Sequence, residues 1–342
     1  MHYTPITVIL TTHNKGAYVL NALESIRQQT LDQELFEVLV VGDQDYDDLE
    51  TKINEYKYRY IKTKDQSFHG KIRTGVLESK GEILTFLEDD DLYSNDRLET
   101  IFRVFAESSD LTYYHNSHIP INNQGEKLQK TLYSNPGKSF VIMPGNDYKE
   151  QLKEISTYSP DFNTSSMAIK RSIFLDAIEY FDKTTAAVDN FIFYCSARVE
   201  GKMIIDSHKL TFYRIHPSQT LKNEEYETFM KKRDSKAYNL FASYRVISEM
   251  TKDTAAEELW TEEFLIFKSH FGIFEAANGD KRFLPEPLET FLLFKNAIMT
   301  KRKFLFLLVI WIYLFRFAPR LFRYPYYRYK MWELSRVSDQ FS

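Results

Sequence analysis

Three short runs near the start of the chain, Ile6 to Leu10, Phe36 to Val41 and Glu82 to Leu87, are apolar at nearly every position, and each stops abruptly at polar residues. A strand with no polar face has to be covered on both sides, whereas a strand with one wet face would alternate. Residues at helical spacing fill the intervals. Val19, Leu23 and Ile26 follow Asn14, a candidate N-cap, and a stretch from Lys71 to Ser79 stops at Gly81. Tyr58 to Lys62 reads as a further strand. Strands alternating with helices predict an α/β domain with a mostly parallel sheet and helices on both faces. In open sheets of this kind ligands gather beyond the carboxyl ends of the strands. The polar loops fall there: Thr11 to Asn14, Asp43 to Asp48, and Glu88 to Asp91.

The middle of the chain is less regular. Leu111 to His118 reads as a strand, residues 122–125 as a turn, and Ser165 to Ile169 as a strand leading into a helix from about Arg171. A helix near Asp189 to Glu200 precedes strands at Met203 to Ile205 and Leu210 to His216. Beyond Pro217 the spacing turns helical, from about Asn223 to Asn278, which sets a boundary near residue 220. Residues 1–220 are expected to form the catalytic domain and residues 221–342 a C-terminal helical region. A formal net charge of -4 is no electrostatic match for nucleic acid, and the lone cysteine, Cys195, excludes an internal disulfide framework. The first strand begins within a few residues of Met1, which leaves no room for a secretory segment and gives a cytoplasmic expectation.

Glu88-Asp89-Asp90-Asp91 is the most informative chemistry. Adjacent carboxylates repel one another, so a cation or solvent has to offset part of the charge. Hard divalent ions such as Mg²⁺ or Mn²⁺ bridge one or two carboxylates to substrate phosphates. The alternative is an exposed acidic turn capping the helix after Asn95, which a helix dipole would also favour. Position at a strand's carboxyl end, in register with two other polar loops, favours the metal.

The order Ile6-Thr-Val-Ile-Leu-Thr-Thr-His-Asn14, Phe36-Glu-Val-Leu-Val-Val-Gly-Asp43 and Gly81-Glu-Ile-Leu-Thr-Phe-Leu-Glu-Asp-Asp-Asp91 resembles the inverting glycosyltransferases of family 2, whose fold is the Rossmann-like GT-A fold. The spacing from Gly75 to Gly81 fits as well, and the resemblance spans roughly residues 4 to 220. It implies transfer of a sugar from a nucleotide-diphosphate sugar, UDP-sugars favoured, to an acceptor hydroxyl, with inversion and a divalent metal. It further implies that Thr11 and His13 line the nucleotide pocket and that Asp43 accepts a hydrogen bond from the base. Asp89 and Asp90 would fall on the metal-binding motif, Asp90 as the direct ligand and Asp89 lying nearer the ribose. Two departures are visible: Gly42 and Gln44-Asp45 replace acidic and small residues of the family, and Ile72-Arg73, with Lys71 adjacent, stands where an Arg-Asn pair is common. Lys71 and Arg73 read either as donor-diphosphate contacts or as solvated helix residues. Asp43 read alone is a turn cap, and His13 an ordinary loop histidine.

Inverting transfer needs a group that takes the proton from the attacking hydroxyl, usually a carboxylate. Val188-Asp189-Asn190-Phe191 resembles the family's base motif, with Val188 in place of an acidic residue, and assigns the base to Asp189; the plain alternative is a helix N-cap. Tyr213-Arg214-Ile215-His216-Pro217 resembles the element that closes over the diphosphate. Arg214 suits phosphate and His216 would supplement the metal site. Asn163-Thr164-Ser165-Ser166 resembles the loop between donor and acceptor. A nucleotidyltransferase of related fold would need a Gly-rich loop after the first strand, which Thr11 to Gly16 is not. A non-catalytic sugar-nucleotide-binding module would have no use for Asp90 and Asp189.

From Lys301 the chain runs Lys-Arg-Lys, then apolar from Phe304 to Phe315, then Arg316, Arg320, Arg323 and a Tyr-rich basic tail. A bilayer span takes about 20 apolar residues, and this run is shorter. Basic flanks and aromatics predict a segment, about residues 290–330, lying in a membrane interface. The expected partner is then an anionic membrane surface, with the enzyme peripheral on the cytoplasmic membrane face and a glycan or lipid-linked acceptor. The alternative is a buried helix packing on the enzyme or on a second copy, making a homo-oligomer.

Overall fold

The computed structural model describes residues 5–13, 18–43, 47–129, 135–215 and 226–338. The chain falls into two compact units, one holding the sheet together with residues 250–256, the other the C-terminal helices.

The first unit opens with β1 (Ile6–Thr11), α1 (Val19–Arg27), β2 (Phe36–Gly42), α2 (Asp47–Glu55), β3 (Arg59–Lys62), α3 (Phe68–Glu78) and β4 (Ile83–Glu88). It continues through β5 (Leu92–Tyr93), α4 (Arg97–Ala106), β6 (Leu111–Ile121), β7 (Phe140–Ile142), α5 (Tyr148–Ser156), β8 (Met167–Lys170), α6 (Arg171–Asp176), α7 (Ile178–Phe181), α8 (Val188–Ala197) and β9 (Lys202–Arg214). The strand order is β3-β2-β1-β4-β8-β6-β9-β5, with β7 paired to β9. Pairing is parallel from β3 through β4. Beyond that the sheet is mixed: β8 lies antiparallel between β4 and β6, β9 runs parallel to β6, and β5 and β7 pair antiparallel to β9.

Both faces of the parallel half are covered, which is why its strands carry so few polar residues. Ile6, Val8 and Leu10 pack with Leu23 and Ile26 of α1 and with Leu98 and Ile101 of α4. On the opposite face Ile9 meets α3 at Gly75, and Phe86 lies 6.5 Å from Phe174 of α6.

Several element boundaries differ from the sequence reading. Helix α3 starts at Phe68, earlier than expected, because Ser67 caps it: its Oγ accepts from Gly70 N at 2.9 Å. It ends at Glu78, and Gly81 instead sits in the turn just before β4, its N–H donating to Thr7 Oγ1 at 2.9 Å. Asn14 lies outside the described residues. The two strands expected between Met203 and His216 form one strand, β9, whose pairing with β6 shifts register around Asn116 to His118. Asp206 sits inside it because Tyr114 Oη and Ser139 Oγ donate to its carboxylate at 2.7 and 2.8 Å.

The second unit consists of α9 (Tyr226–Thr251, most of its length), α10 (Glu257–Ala277), α11 (Pro287–Thr300), α12 (Lys303–Phe317) and α13 (Pro319–Ser338). Ile273 and Phe274 of α10, Leu293 of α11, Ile312 and Phe315 of α12 and Tyr326 of α13 share its core. Among the described residues no helix is long and apolar enough to cross a membrane.

Candidate active site at the carboxyl edge of the sheet

The parallel register fixes where the polar loops start. Thr11 pairs with Val41 on one side and with Glu88 on the other, so β1, β2 and β4 end at one level. Gly75 lets α3 lie close on β1: a Cβ there would come within 2.5 Å of Ile9 Cγ2. One turn earlier on the same helix face stands Lys71, which the close packing carries to the strand ends. Its Nζ donates to Thr12 O at 2.8 Å and lies 3.1 Å from His13 Nδ1 and 3.3 Å from Asp43 Oδ1. The Lys71 and Asp43 side chains are 1% and 3% exposed, so neither is a solvated surface group. Asp43 is the carboxylate partner of a buried ammonium, while the turn after it, residues 44–46, lies outside the described residues. Gly42, where the family pattern has an acidic residue, is required by space, since a Cβ would meet the Tyr60 hydroxyl at 2.5 Å and Thr12 Cγ2 at 2.8 Å.

The acidic run joins the same cluster. His13 N donates to Asp89 Oδ2 at 2.8 Å. Arg214, buried at the end of β9, donates from its backbone N to Asp91 Oδ1 at 2.8 Å, from Nε to Asp90 O at 2.7 Å and from Nη1 to Asn122 O at 2.7 Å. Its guanidinium also stacks 4.1 Å from the Tyr18 ring centroid. Arg214 thus fastens the acidic loop. Burial pushes the Glu88 carboxyl well above the usual range, reinforced by the charges of Asp91, Asp90, Asp189 and Asp89. Asp91 is pushed up to about 8, by burial first and then by Asp90, against the pull of Arg214. Burial also raises Asp89, opposed by the His13 N–H.

A second loop closes on this edge. Glu88 N donates to Ser165 Oγ at 3.1 Å, and Asn163, at φ 69°, accepts from Ser165 N at 2.8 Å through its side chain. Ala187 is likewise left-handed, at φ 57°, immediately before α8. Non-glycine residues in this region carry strain of about 1–3 kcal/mol, and such strain concentrates at functional sites. After Ala187 comes Asp189, the second residue of α8 and not its cap. Its Oδ1 accepts from Asn190 N at 3.0 Å, while Asn190 Nδ2 donates to Asp161 Oδ2 at 2.6 Å. Burial, then the charge of Asp161, raises Asp189 to about 6, outweighing the hydrogen bonds that lower it. Helix α8 is held by Phe191, 4.9 Å from Phe181, and by Phe193, 5.7 Å from Tyr113.

The structure therefore brings together Thr11, His13, Asp43, Lys71, Asp89, Asp90 and Arg214, with Asp189 within electrostatic reach of Glu88. Arg73 stands apart: its guanidinium pairs with Asp182 at 2.6 and 3.1 Å, and both side chains are partly solvated. His216 lies outside the described residues. Sequence reasoning missed the Asp161–Asn190 bond beside Asp189, the Tyr18 stack under Arg214, and an aromatic cluster of His118, Phe162 and Tyr213, whose ring centroids are 5.2–5.9 Å apart. The one signal for these was the position of Asp161-Phe162 directly before the Asn163 loop. Among the described residues no three His, Cys, Asp or Glu side chains converge on a point that would hold a metal by themselves.

Residues 7–177, half of the chain, match the model of glycosyl transferase family 2, and the chain belongs to that family. An uncharacterized glycosyltransferase of Nostoc sp. is 28% identical over 228 residues, covering 62% of this chain and 65% of the relative. The poly(ribitol-phosphate) beta-N-acetylglucosaminyltransferase TarP of Staphylococcus aureus is 27% identical over 146 residues, 40% of this chain and 44% of TarP. The chain thus spans slightly less than two thirds of the Nostoc relative and under half of TarP. Among solved structures, residues 1–349 of S. aureus TarS in complex with UDP superpose with a TM-score of 0.54 at 14% identity, over 80% of this chain and 74% of that one. The same protein in complex with UDP-GlcNAc superposes at 0.50 and 13% identity, over 81% of this chain and 88% of that one. The fold is GT-A, with a C-terminal helical region.

Proposed function

We propose that the protein is an inverting glycosyltransferase that moves a sugar from a UDP-sugar to a hydroxyl of a glycan or lipid-linked acceptor. Asp189 is the observation that carries this reading. A carboxyl with a pKa of about 6 is ionised near neutrality yet basic enough to accept a proton as the hydroxyl attacks. In a single displacement the acceptor oxygen bonds to the anomeric carbon and the bond from that carbon to the diphosphate oxygen breaks. The hydroxyl proton passes to Asp189, and the nucleoside diphosphate leaves from the opposite face.

Thr11, His13 and Asp43 are proposed to receive the nucleoside, with Lys71 setting the positions of the last two. The UDP and UDP-GlcNAc bound by TarS support a UDP-sugar as donor. The site suits a hard divalent cation, because Asp90 stands in one run with Glu88, Asp89 and Asp91, three carboxyls whose ionisation burial and neighbouring charge oppose. Asp90 and Asp89, with His216, would hold Mg²⁺ or Mn²⁺, which when bound supplies neutralisation of the diphosphate charge. Arg214 positions the acidic loop through the Asp90 carbonyl and the Asp91 carboxylate.

The deciding experiment is Asp189→Asn. Donor affinity measured by calorimetry should persist while transfer falls by about 100-fold or more. Full turnover in that variant would remove Asp189 as the base.

A further inference from the structure

The last three helices of the second unit each bury one face and leave another apolar face uncovered. On α12, Leu305, Leu308, Ile312 and Phe315 belong to the helical core, whereas Ile310, Tyr313 and Phe317, spaced three and four apart, are exposed. On α11, Leu293 and Ala297 are buried, while Leu288, Phe291, Leu292, Ile298 and Met299 follow one another along an exposed stripe. On α13, Tyr326 is buried and Leu321, Tyr324 and Trp332 lie along an exposed stripe that also carries Arg328. Leu288, Met299, Phe317 and Leu321 are 70–77% exposed. So many large apolar side chains do not stay bare on a water-soluble surface without a cover.

Charge identifies the cover. From Pro287 to Trp332 the sequence has nine Lys and Arg against one carboxylate, Glu289. Glu289 is already engaged by Lys268 Nζ at 2.7 Å and by the backbone N–H of Glu286. Arg302 is paired with Glu262 at 3.6 Å and Arg316 donates to Pro285 O, yet a second copy of the chain docked through the same surface would still set the remaining excess of cations against itself, which opposes a symmetric interface. The occupant has to be apolar in its interior and negative at its rim. Helix α12, with 15 residues, is about 22 Å long at 1.5 Å per residue, short of the ~30 Å hydrocarbon core of a bilayer. It fits along a membrane, not across one. Exposed Tyr313, Tyr324 and Trp332 are residue types that settle at the headgroup level.

We propose that α11, α12 and α13 form an in-plane docking surface for a bilayer containing anionic lipids. The apolar stripes enter the upper acyl region and the Lys and Arg side chains meet lipid phosphates.

Vesicle co-sedimentation of the full chain tests this without any sugar donor, so its outcome is independent of the transferase reading. Phosphatidylcholine vesicles containing a third of phosphatidylglycerol should bind roughly tenfold or more tightly than pure phosphatidylcholine, and added salt should release the protein. The double variant Phe317→Asp/Leu321→Asp should lose most of the binding. The triple variant Lys301→Glu/Arg302→Glu/Lys303→Glu should lose the preference for anionic lipid, with thermal unfolding showing that both variants are folded. Failure of the unmodified chain to bind anionic vesicles overturns the proposal, as does binding that neither salt nor the triple variant weakens. Sedimentation velocity gives a further outcome: a dimer that the Phe317/Leu321 variant dissociates, in a chain indifferent to vesicles, would make this face a copy-to-copy interface instead.

Discussion

Lys71 on α3 and Asp43 at the end of β2 form a buried ion pair 3.3 Å long, and the same ammonium also holds the Thr12 carbonyl and the His13 ring. Two loops from two strands are thereby fixed by a side chain from a helix. Lys71→Met should leave Asp43 buried and unpaired, at a cost of about 3 kcal/mol or more. Lys71→Met/Asp43→Asn should recover part of that loss. Chemical denaturation of the two variants reads both numbers, and an unchanged midpoint in Lys71→Met would show that the pair adds nothing to stability.

Gly75→Ala sets two effects against each other. Alanine in a helix gains roughly 1 kcal/mol over glycine, but here the new methyl would sit 2.5 Å from Ile9 Cγ2. Overpacking costs about 1–3 kcal/mol, and the displaced helix carries Lys71 with it, so stability and donor affinity should both fall. In an Ile9→Ala background the same substitution should be neutral or stabilising. Absence of that coupling in a double-mutant cycle would refute the close-packing account.

The pH dependence follows from Asp189. With its pKa near 6, and with Asp189 as the proposed base, kcat/KM should fall as pH drops through that value, because the protonated carboxyl cannot accept a proton. The stability effect has the opposite sign. A carboxyl whose folded pKa exceeds its unfolded value binds protons better when folded, so stability declines as pH rises from about 4 to about 6. Asp189→Asn should therefore raise the melting temperature above that window and have little effect below it. A variant no more stable than the parent at neutral pH would mean that the carboxylate is better solvated than its surroundings indicate.

Asp90→Ala tests the acidic loop. Thermal shifts produced by a UDP-sugar with Mn²⁺ should disappear in this variant, while the unliganded melting temperature changes little, since ligands that bind only the folded state raise apparent stability. Shifts of the same size with and without Mn²⁺ in the parent chain would remove the metal from the reading.

The parts of this site that the sequence announces are the ones built from contiguous residues. Apolar strands covered on both faces advertise themselves, and the polar residues directly after β1, β2 and β4 inherit their position from the parallel register. What stayed hidden depends on distant pairing. The insertion of β8 between β4 and β6, and the continuity of β9 through Asp206, rest on partners tens of residues away. Lys71 reads locally as one more helix lysine; only the approach of α3 to Ile9, permitted by Gly75, turns it inward. Arg214 likewise reads locally as a phosphate contact, and its bonds to the Asp90 and Asn122 carbonyls come into view only once β9 is paired.

The bond from Arg214 N to Asp91 spans 123 residues. During synthesis the four parallel strands, and with them the acidic loop, emerge long before the residue that fastens that loop. A nascent chain stalled ahead of Arg214 can therefore have its central strands paired while the loop proposed to meet the donor is still unfastened, so maturation of the sheet and maturation of the site become separate events on the ribosome.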